Sequence, residues 1–144
     1  MASQLPVPAP EPTPETCTFW SATAQGRLLL ARCADCATVI WYPKAYCPAC
    51  GCVSVSWDEA SGRGTVYSFS VVHRGPGSFS AAVPFVVAYV ELAEGPRVLT
   101  NIVGCEPEEV HIGQPVSVVF CDTGEGSALY RFRPSGATSS GADG

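Results

Sequence analysis

Cys33-Ala34-Asp35-Cys36 and, after a gap of ten residues, Cys47-Pro48-Ala49-Cys50-Gly51 decide how this chain folds. A C-x2-C pair sets two sulfurs on one tight turn. Two such turns facing each other supply four thiolates to a tetrahedron, the arrangement that zinc takes with sulfur at about 2.3 Å. Gly51 lets the second turn adopt a positive φ and brings backbone N–H groups toward the sulfurs, which spreads their charge. Ala37 stands where the first turn would be expected to use glycine. The gap is shorter than the usual spacing between such pairs, yet it has room for a short strand, a turn and the approach to the second pair. A thioredoxin-like redox site would need one C-x-x-C in a βαβ setting, which two paired motifs do not resemble. Iron on the same sulfurs is geometrically open, and one structural zinc ion is the preferred reading. With cysteine at all four positions no coordination site is left for water. The metal is therefore expected to brace a module too small for a core of its own. Cys52 is expected to point away from the site, and Cys17, Cys105 and Cys121 to serve as small apolar residues.

Working outward, Glu15 to Gln25 carries Phe19 and Trp20 on a mixed pattern that Gly26 ends, which predicts a short helix. Leu28 to Arg32 reads as a strand into the first cysteine pair, Val39 to Tyr42 as its return, and Ser54 to Asp58 as a weaker third. From Ser61 the character changes. Thr65–Val72, Phe85–Leu92, Val98–Val103, Val116–Phe120 and Leu129–Arg133 are rich in Val, Phe, Tyr and Ile, with glycine- and proline-bearing turns between them. Five short strands with a brief helical turn at Pro107 to Val110, between the third and fourth, predict an OB-type barrel. The expected architecture is mainly β: a helix plus metal ribbon over 15–59 and a barrel over 60–134. The Pro-rich stretch 1–14 and the Gly/Ser/Ala-rich stretch 135–144 bury too little apolar surface to offset ordering, and flexible tails are expected there.

A net charge of −5 with only eight Lys and Arg, scattered along the chain, argues against a nucleic-acid partner. No basic-then-apolar leader opens the sequence, and no run approaches the roughly 20 apolar residues of a membrane helix. A cytoplasmic protein without a membrane contact is expected, and in a reducing compartment close cysteine pairs favour metal over disulfide.

Catalytic signals are weak. His73 ends the first barrel strand beside Arg74, and His111 follows the helical turn. No G-x-S-x-G elbow accompanies either, so both read as surface or rim residues. Ser61-Gly62-Arg63-Gly64 lacks the lysine and the strand–loop–helix order of a phosphate loop, and its glycines are expected to permit a bulge or bend where the barrel begins.

In this order the motifs resemble the acyl-CoA-associated family that joins a rubredoxin-like zinc ribbon to an OB-fold. The resemblance rests on Phe19-Trp20, Leu28-x-x-x-Arg32-Cys33-x-x-Cys36, Cys47-Pro48-x-Cys50-Gly51, the run Ser61 to Phe69, Val72-His73-Arg74 and Pro84 to Ala88. Asn101 to Cys105, Ile112 to Val116 and Arg131-Phe132-Arg133-Pro134 complete it. It implies a non-catalytic partner of a thiolase-superfamily enzyme, in a hetero-oligomer that makes or breaks carbon–carbon bonds on acyl-CoA or related acyl substrates. Contacts with that partner or with an acyl-CoA would fall to His73, Arg74, Trp20, Trp41 and Tyr46. Trp20, Trp41, Tyr42, Tyr46 and Trp57 suit two roles equally: anchors of an interface, or a cover for the ribbon–barrel junction. Two other functions compete with the accessory role. One is a single-stranded nucleic-acid module, which the charge balance disfavours; the other is a self-sufficient acyl-CoA enzyme using His73.

Overall fold

A computed structural model describes residues 5–135; of the tails expected over 1–14 and 135–144, residues 1–4 and 136–144 lie outside the described residues. Residues 5–14 form neither helix nor strand, and within them the Pro6 carbonyl accepts a hydrogen bond from Arg131. The first element is a seven-residue helix, α1 (Cys17–Thr23). So short a helix is marginal alone, and it is held by what it buries. Phe19 is fully buried and Trp20 nearly so, each contributing about 2–3 kcal/mol by leaving water.

Three strands follow: β1 (Leu29–Cys33), β2 (Val39–Ile40) and β3 (Val55–Glu59), in the antiparallel order β2-β1-β3. The return strand stops at Ile40 rather than at the expected Tyr42. Pro43 has no N–H to extend the ladder, and the rings of Trp41 and Tyr42 turn to pack on Phe19.

The barrel consists of β4 (Arg63–Val72), β5 (Phe85–Leu92), β6 (Arg97–Ile102), β7 (Pro115–Asp122) and β8 (Ala128–Pro134), closed in the order β4-β5-β6-β8-β7. A 3-10 turn at Pro107–Glu109 lies between β6 and β7, with Pro107 in its first turn and a reciprocal cap between Glu106 and Glu109. This is the OB arrangement expected from the five strands.

β4 pairs with both β5 and β7, which a ten-residue strand achieves by bending. Its register with β5 shifts between Val66 and Ser68, the signature of a bulge. Gly64 is needed for a different reason. A β-carbon there would lie 2.6 Å from the Glu91 carbonyl oxygen, so only glycine admits that close approach. A second 3-10 turn, Gly77–Ala81, was not anticipated, because five residues of Gly, Ser, Phe and Ala carry no periodicity.

One apolar core runs from Phe19 and Trp20 of α1 through Leu28 and Leu30 into the barrel interior of Val66, Val90, Val98, Val116 and Phe132. A smaller cluster of Ala31, Cys33, Ile40 and Cys47 backs the cysteine turns. Helix and barrel are also joined by Thr23. Its hydroxyl donates to the Trp20 carbonyl at 2.6 Å and accepts from the Ala128 N–H at 3.0 Å. No helix among the described residues is long and apolar enough to cross a membrane.

Candidate metal centre and aromatic junction

The two cysteine turns are built alike. In the first, the Cys33 N–H donates to the Thr38 carbonyl and the Ala37 N–H to the Cys33 carbonyl, each at 2.9 Å. In the second, the Cys47 N–H donates to the Cys52 carbonyl at 2.8 Å and the Gly51 N–H to the Cys47 carbonyl at 2.7 Å. The N–H of Asp35 lies 3.3 Å from the Cys33 sulfur, and that of Ala49 lies 3.4 Å from the Cys47 sulfur. Each turn thus aims an amide at its first sulfur, and each closes on a residue of positive φ, Ala37 at 64° and Gly51 at 79°.

The four sulfurs of Cys33, Cys36, Cys47 and Cys50 all lie within 4.8 Å of one another. Cys33 and Cys50 are 3.6 Å apart and Cys36 and Cys47 are 3.7 Å apart. Sulfurs at the corners of a tetrahedron about 2.3 Å from a zinc ion stand about 3.8 Å from each other. The donor set therefore fits a closed four-thiolate site. Cys33 and Cys47 are buried, whereas Cys36 and Cys50 face outward. Thr38, first through its hydroxyl and then through its backbone, holds the Cys36 thiol down at about 6. Cys50 behaves in the opposite way. A Cys52 backbone hydrogen bond favours its thiolate, but Cys33, burial, Cys36 and Cys47 outweigh that and push it up to about 12. Four thiolates this close repel one another, and a bound dication removes the penalty. Cys52 is outside the group, its sulfur accepting from the Ser54 N–H at 3.4 Å.

Behind the ribbon lies a knot of rings centred on Phe19. It meets Trp20, Trp41, Tyr42 and Tyr130 edge-on, with centroids 4.9 to 6.0 Å away. Trp20 stacks on Tyr130 at 6.1 Å, and its indole N–H donates to the Tyr42 hydroxyl at 3.0 Å. Burial, with Tyr42 nearby, raises the Tyr130 phenol well above the usual range. Trp20 is thus buried, and Trp41 and Trp57 are half-buried, all against the core shared by ribbon and barrel. Of the five aromatics read as anchors or junction cover, Tyr42 and Tyr46 are the exposed ones, at 39% and 49%. Tyr130 belongs to this knot yet sits in the last strand, where alternation alone gave no hint of its neighbours.

His73 and Arg74 follow β4 at an exposed bend, and neither makes a side-chain hydrogen bond or ion pair among the described residues. His111 is exposed, with Nδ1 3.4 Å from the Glu109 carbonyl oxygen. The two histidines lie apart in the sequence of barrel strands, one after β4 and the other before β7.

Comparison with known proteins fits this architecture. Residues 20–51 match the family model for the ChsH2 rubredoxin-like zinc ribbon domain, and residues 57–121 that for the ChsH2 C-terminal OB-fold domain. The chain is 44% identical over 119 residues to a "Probable enoyl-CoA hydratase alpha subunit" of Thermomonospora curvata. That alignment takes in 81% of this chain and 36% of the longer relative, so this chain spans about a third of its length. It is 39% identical over 115 residues to a "DUF35 domain-containing scaffold protein" of Methanocaldococcus jannaschii, across 74% of this chain and 81% of that protein. Among solved structures, "Ltp2-ChsH2(DUF35) aldolase" contains a chain that superposes with a TM-score of 0.81 and 38% identity, covering 88% of this chain and 99% of that one. With its ribbon, its barrel and its likeness to such a scaffold over most of both chains, the chain belongs to the DUF35 family of ChsH2-type zinc-ribbon and OB-fold proteins.

Proposed function

We propose that this chain is a non-catalytic accessory subunit that binds and stabilises a thiolase-like enzyme, which makes or cleaves carbon–carbon bonds on acyl-CoA or related acyl substrates. The observation that carries the reading is the superposition on nearly the whole of one chain of the "Ltp2-ChsH2(DUF35) aldolase" structure. The name of the archaeal relative, a scaffold protein, points the same way. In this reading Cys33, Cys36, Cys47 and Cys50 hold one zinc ion. The ion supplies no chemistry to substrate, because its four positions are filled by sulfur, and it clamps the two turns into a rigid platform. The exposed Tyr46, His73 and Arg74 are the residues assigned to the partner or to an acyl-CoA. Trp20 and Trp41 support that platform from within.

The test is co-purification of the tagged chain from its native host, followed by identification of what it carries and by assay of the complex. A thiolase-like protein is expected in near-stoichiometric amount, with acyl-CoA turnover by the complex and none by this chain alone. His73→Ala is expected to loosen the complex while leaving the chemistry of the assembled enzyme intact. Full turnover by the purified chain without a second protein would overturn the proposal.

A further inference from the structure

Each cysteine turn presents one sulfur outward and keeps the other inside: Cys36 and Cys50 are exposed, whereas Cys33 and Cys47 are buried. The close approaches cross from one turn to the other. Exposed Cys50 lies 3.6 Å from buried Cys33, and exposed Cys36 lies 3.7 Å from buried Cys47. A disulfide sets its sulfurs about 2.05 Å apart, so each pair needs a closure of under about 2 Å. The backbone separates the two buried sulfurs further. Cys33 accepts from the N–H groups of Asp35 and Cys36 at 3.3 and 3.4 Å, the second belonging to the other cysteine of its own turn. Cys47 accepts from the Ala49 N–H at 3.4 Å. Hydrogen bonds that draw charge from a thiolate weaken it as an attacking group. Of the two buried neighbours of Cys36, Cys47 is therefore the freer to attack it. Cys52 stands apart, its sulfur turned to the Ser54 N–H. Joined across the turns, the pairs are nested, with 36–47 inside 33–50. The inner loop carries β2 and the Trp41 and Tyr42 rings that pack on Phe19.

We propose that the four-cysteine centre is a redox-sensitive switch: a peroxide converts the ligands into two disulfides, Cys36–Cys47 and Cys33–Cys50, which release the ion and keep the two turns stapled face to face. The switch rests on the metal reading of the four cysteines and not on the accessory role. The exposed Cys36 thiolate attacks one oxygen of hydrogen peroxide. The O–O bond breaks, Cys36 becomes a sulfenic acid, and the hydroxide that leaves takes up a proton to form water. The Cys47 thiolate then attacks the Cys36 sulfur, forming the S–S bond and breaking the S–O bond, and a second hydroxide leaves as water. The two sulfurs give up two electrons and the peroxide gains them. A second peroxide joins Cys50 to Cys33 in the same way. Four thiolates around a dication carry two negative charges, and two disulfides carry none. The platform thus keeps its shape and loses its charge, which changes what it attracts at short range.

The experiment treats the full zinc-loaded chain with hydrogen peroxide, follows zinc release with a chromogenic chelator, blocks remaining thiols and digests with trypsin. Cleavage after Arg32, Lys44 and Arg63 puts Cys33 and Cys36 on the peptide 33–44 and Cys47, Cys50 and Cys52 on the peptide 45–63. Disulfides across the turns therefore leave the two peptides linked, four hydrogens lighter than their sum, whereas disulfides within a turn leave them separate. The linked form is expected, with tandem mass spectrometry assigning Cys36 to Cys47 and Cys33 to Cys50, and with one zinc ion released for every two peroxides consumed. Dithiothreitol and zinc should restore the starting material, and Cys52→Ser should leave the pairing unchanged. Trp57 packs against the cluster behind the cysteine turns. Tryptophan emission should therefore hold its native maximum in the oxidised chain and shift to the red in a chain stripped of zinc under reducing conditions. Separate peptides, a disulfide through Cys52, sulfinic acid at Cys36 without a disulfide, or zinc retained through oxidation would each overturn the switch while leaving the ligand assignment standing. A chain that binds no zinc at all would overturn both.

Discussion

Ala37 occupies the same backbone position in the first cysteine turn that Gly51 occupies in the second. Each sends its N–H back to the carbonyl of the leading cysteine, and each has a positive φ, 64° and 79° respectively. For an alanine that conformation costs about 1 kcal/mol, because its β-carbon crowds the following carbonyl.

Ala37→Gly should therefore stabilise the ribbon by up to about 1 kcal/mol, less what the freer unfolded chain takes back. Gly51→Ala should destabilise it by about the same amount. A β-carbon at Gly51 would meet nothing within 4 Å, so strain rather than collision sets the size of the effect. Metal-release midpoints under a competing chelator, compared across the two variants, check both signs.

Cys47→Ser removes a buried sulfur from the group of four and should abolish stoichiometric zinc. The ribbon strands should loosen, while the β-signal of the five-stranded barrel remains. Elemental analysis beside far-ultraviolet circular dichroism reads both outcomes, and unchanged zinc content would contradict the ligand assignment.

Phe19→Ala should cost about 3–5 kcal/mol, the range for emptying a fully buried aromatic site. Four rings lose their common partner at once. Denaturant unfolding followed by tryptophan fluorescence should report an earlier midpoint, because Trp20 and Trp41 both touch the lost ring.

Tyr130 supplies a pH dependence. Its phenol is raised in the folded protein, so the native state keeps a proton that the unfolded chain gives up. Stability from this source is full below the ordinary phenol range near pH 10 and falls as pH rises beyond it, with a limiting slope of about 1.4 kcal/mol per pH unit. Tyr130→Phe should flatten that decline. Denaturation midpoints measured from pH 9 to 11 on both proteins decide the matter.

The metal turns and the barrel strands were legible in the sequence because their signals are local. Two residues between cysteines set one turn, and alternating apolar runs bounded by glycine and proline set each strand. The apolar run Phe85–Leu92 matches its strand to the residue. What escaped was set by distant contacts. The return strand ends at Ile40 because Trp41 and Tyr42 are drawn to Phe19, and Tyr130 joins that cluster from the far end of the chain. Nothing in the sequence around Arg131 indicates that the Pro6 carbonyl reaches it. The Gly77–Ala81 turn left no periodic trace at all.

The hydroxyl of Thr23 receives the amide of Ala128, 105 positions further along the chain. While the polypeptide is still being synthesised the helix thus lacks the strand that anchors it, although both cysteine turns have already emerged. Metal capture, and packing of the leading helix on β1 and on Trp41 and Tyr42, can precede completion of the barrel, whereas the bond from Thr23 to Ala128 forms only after the last strand has left the ribosome.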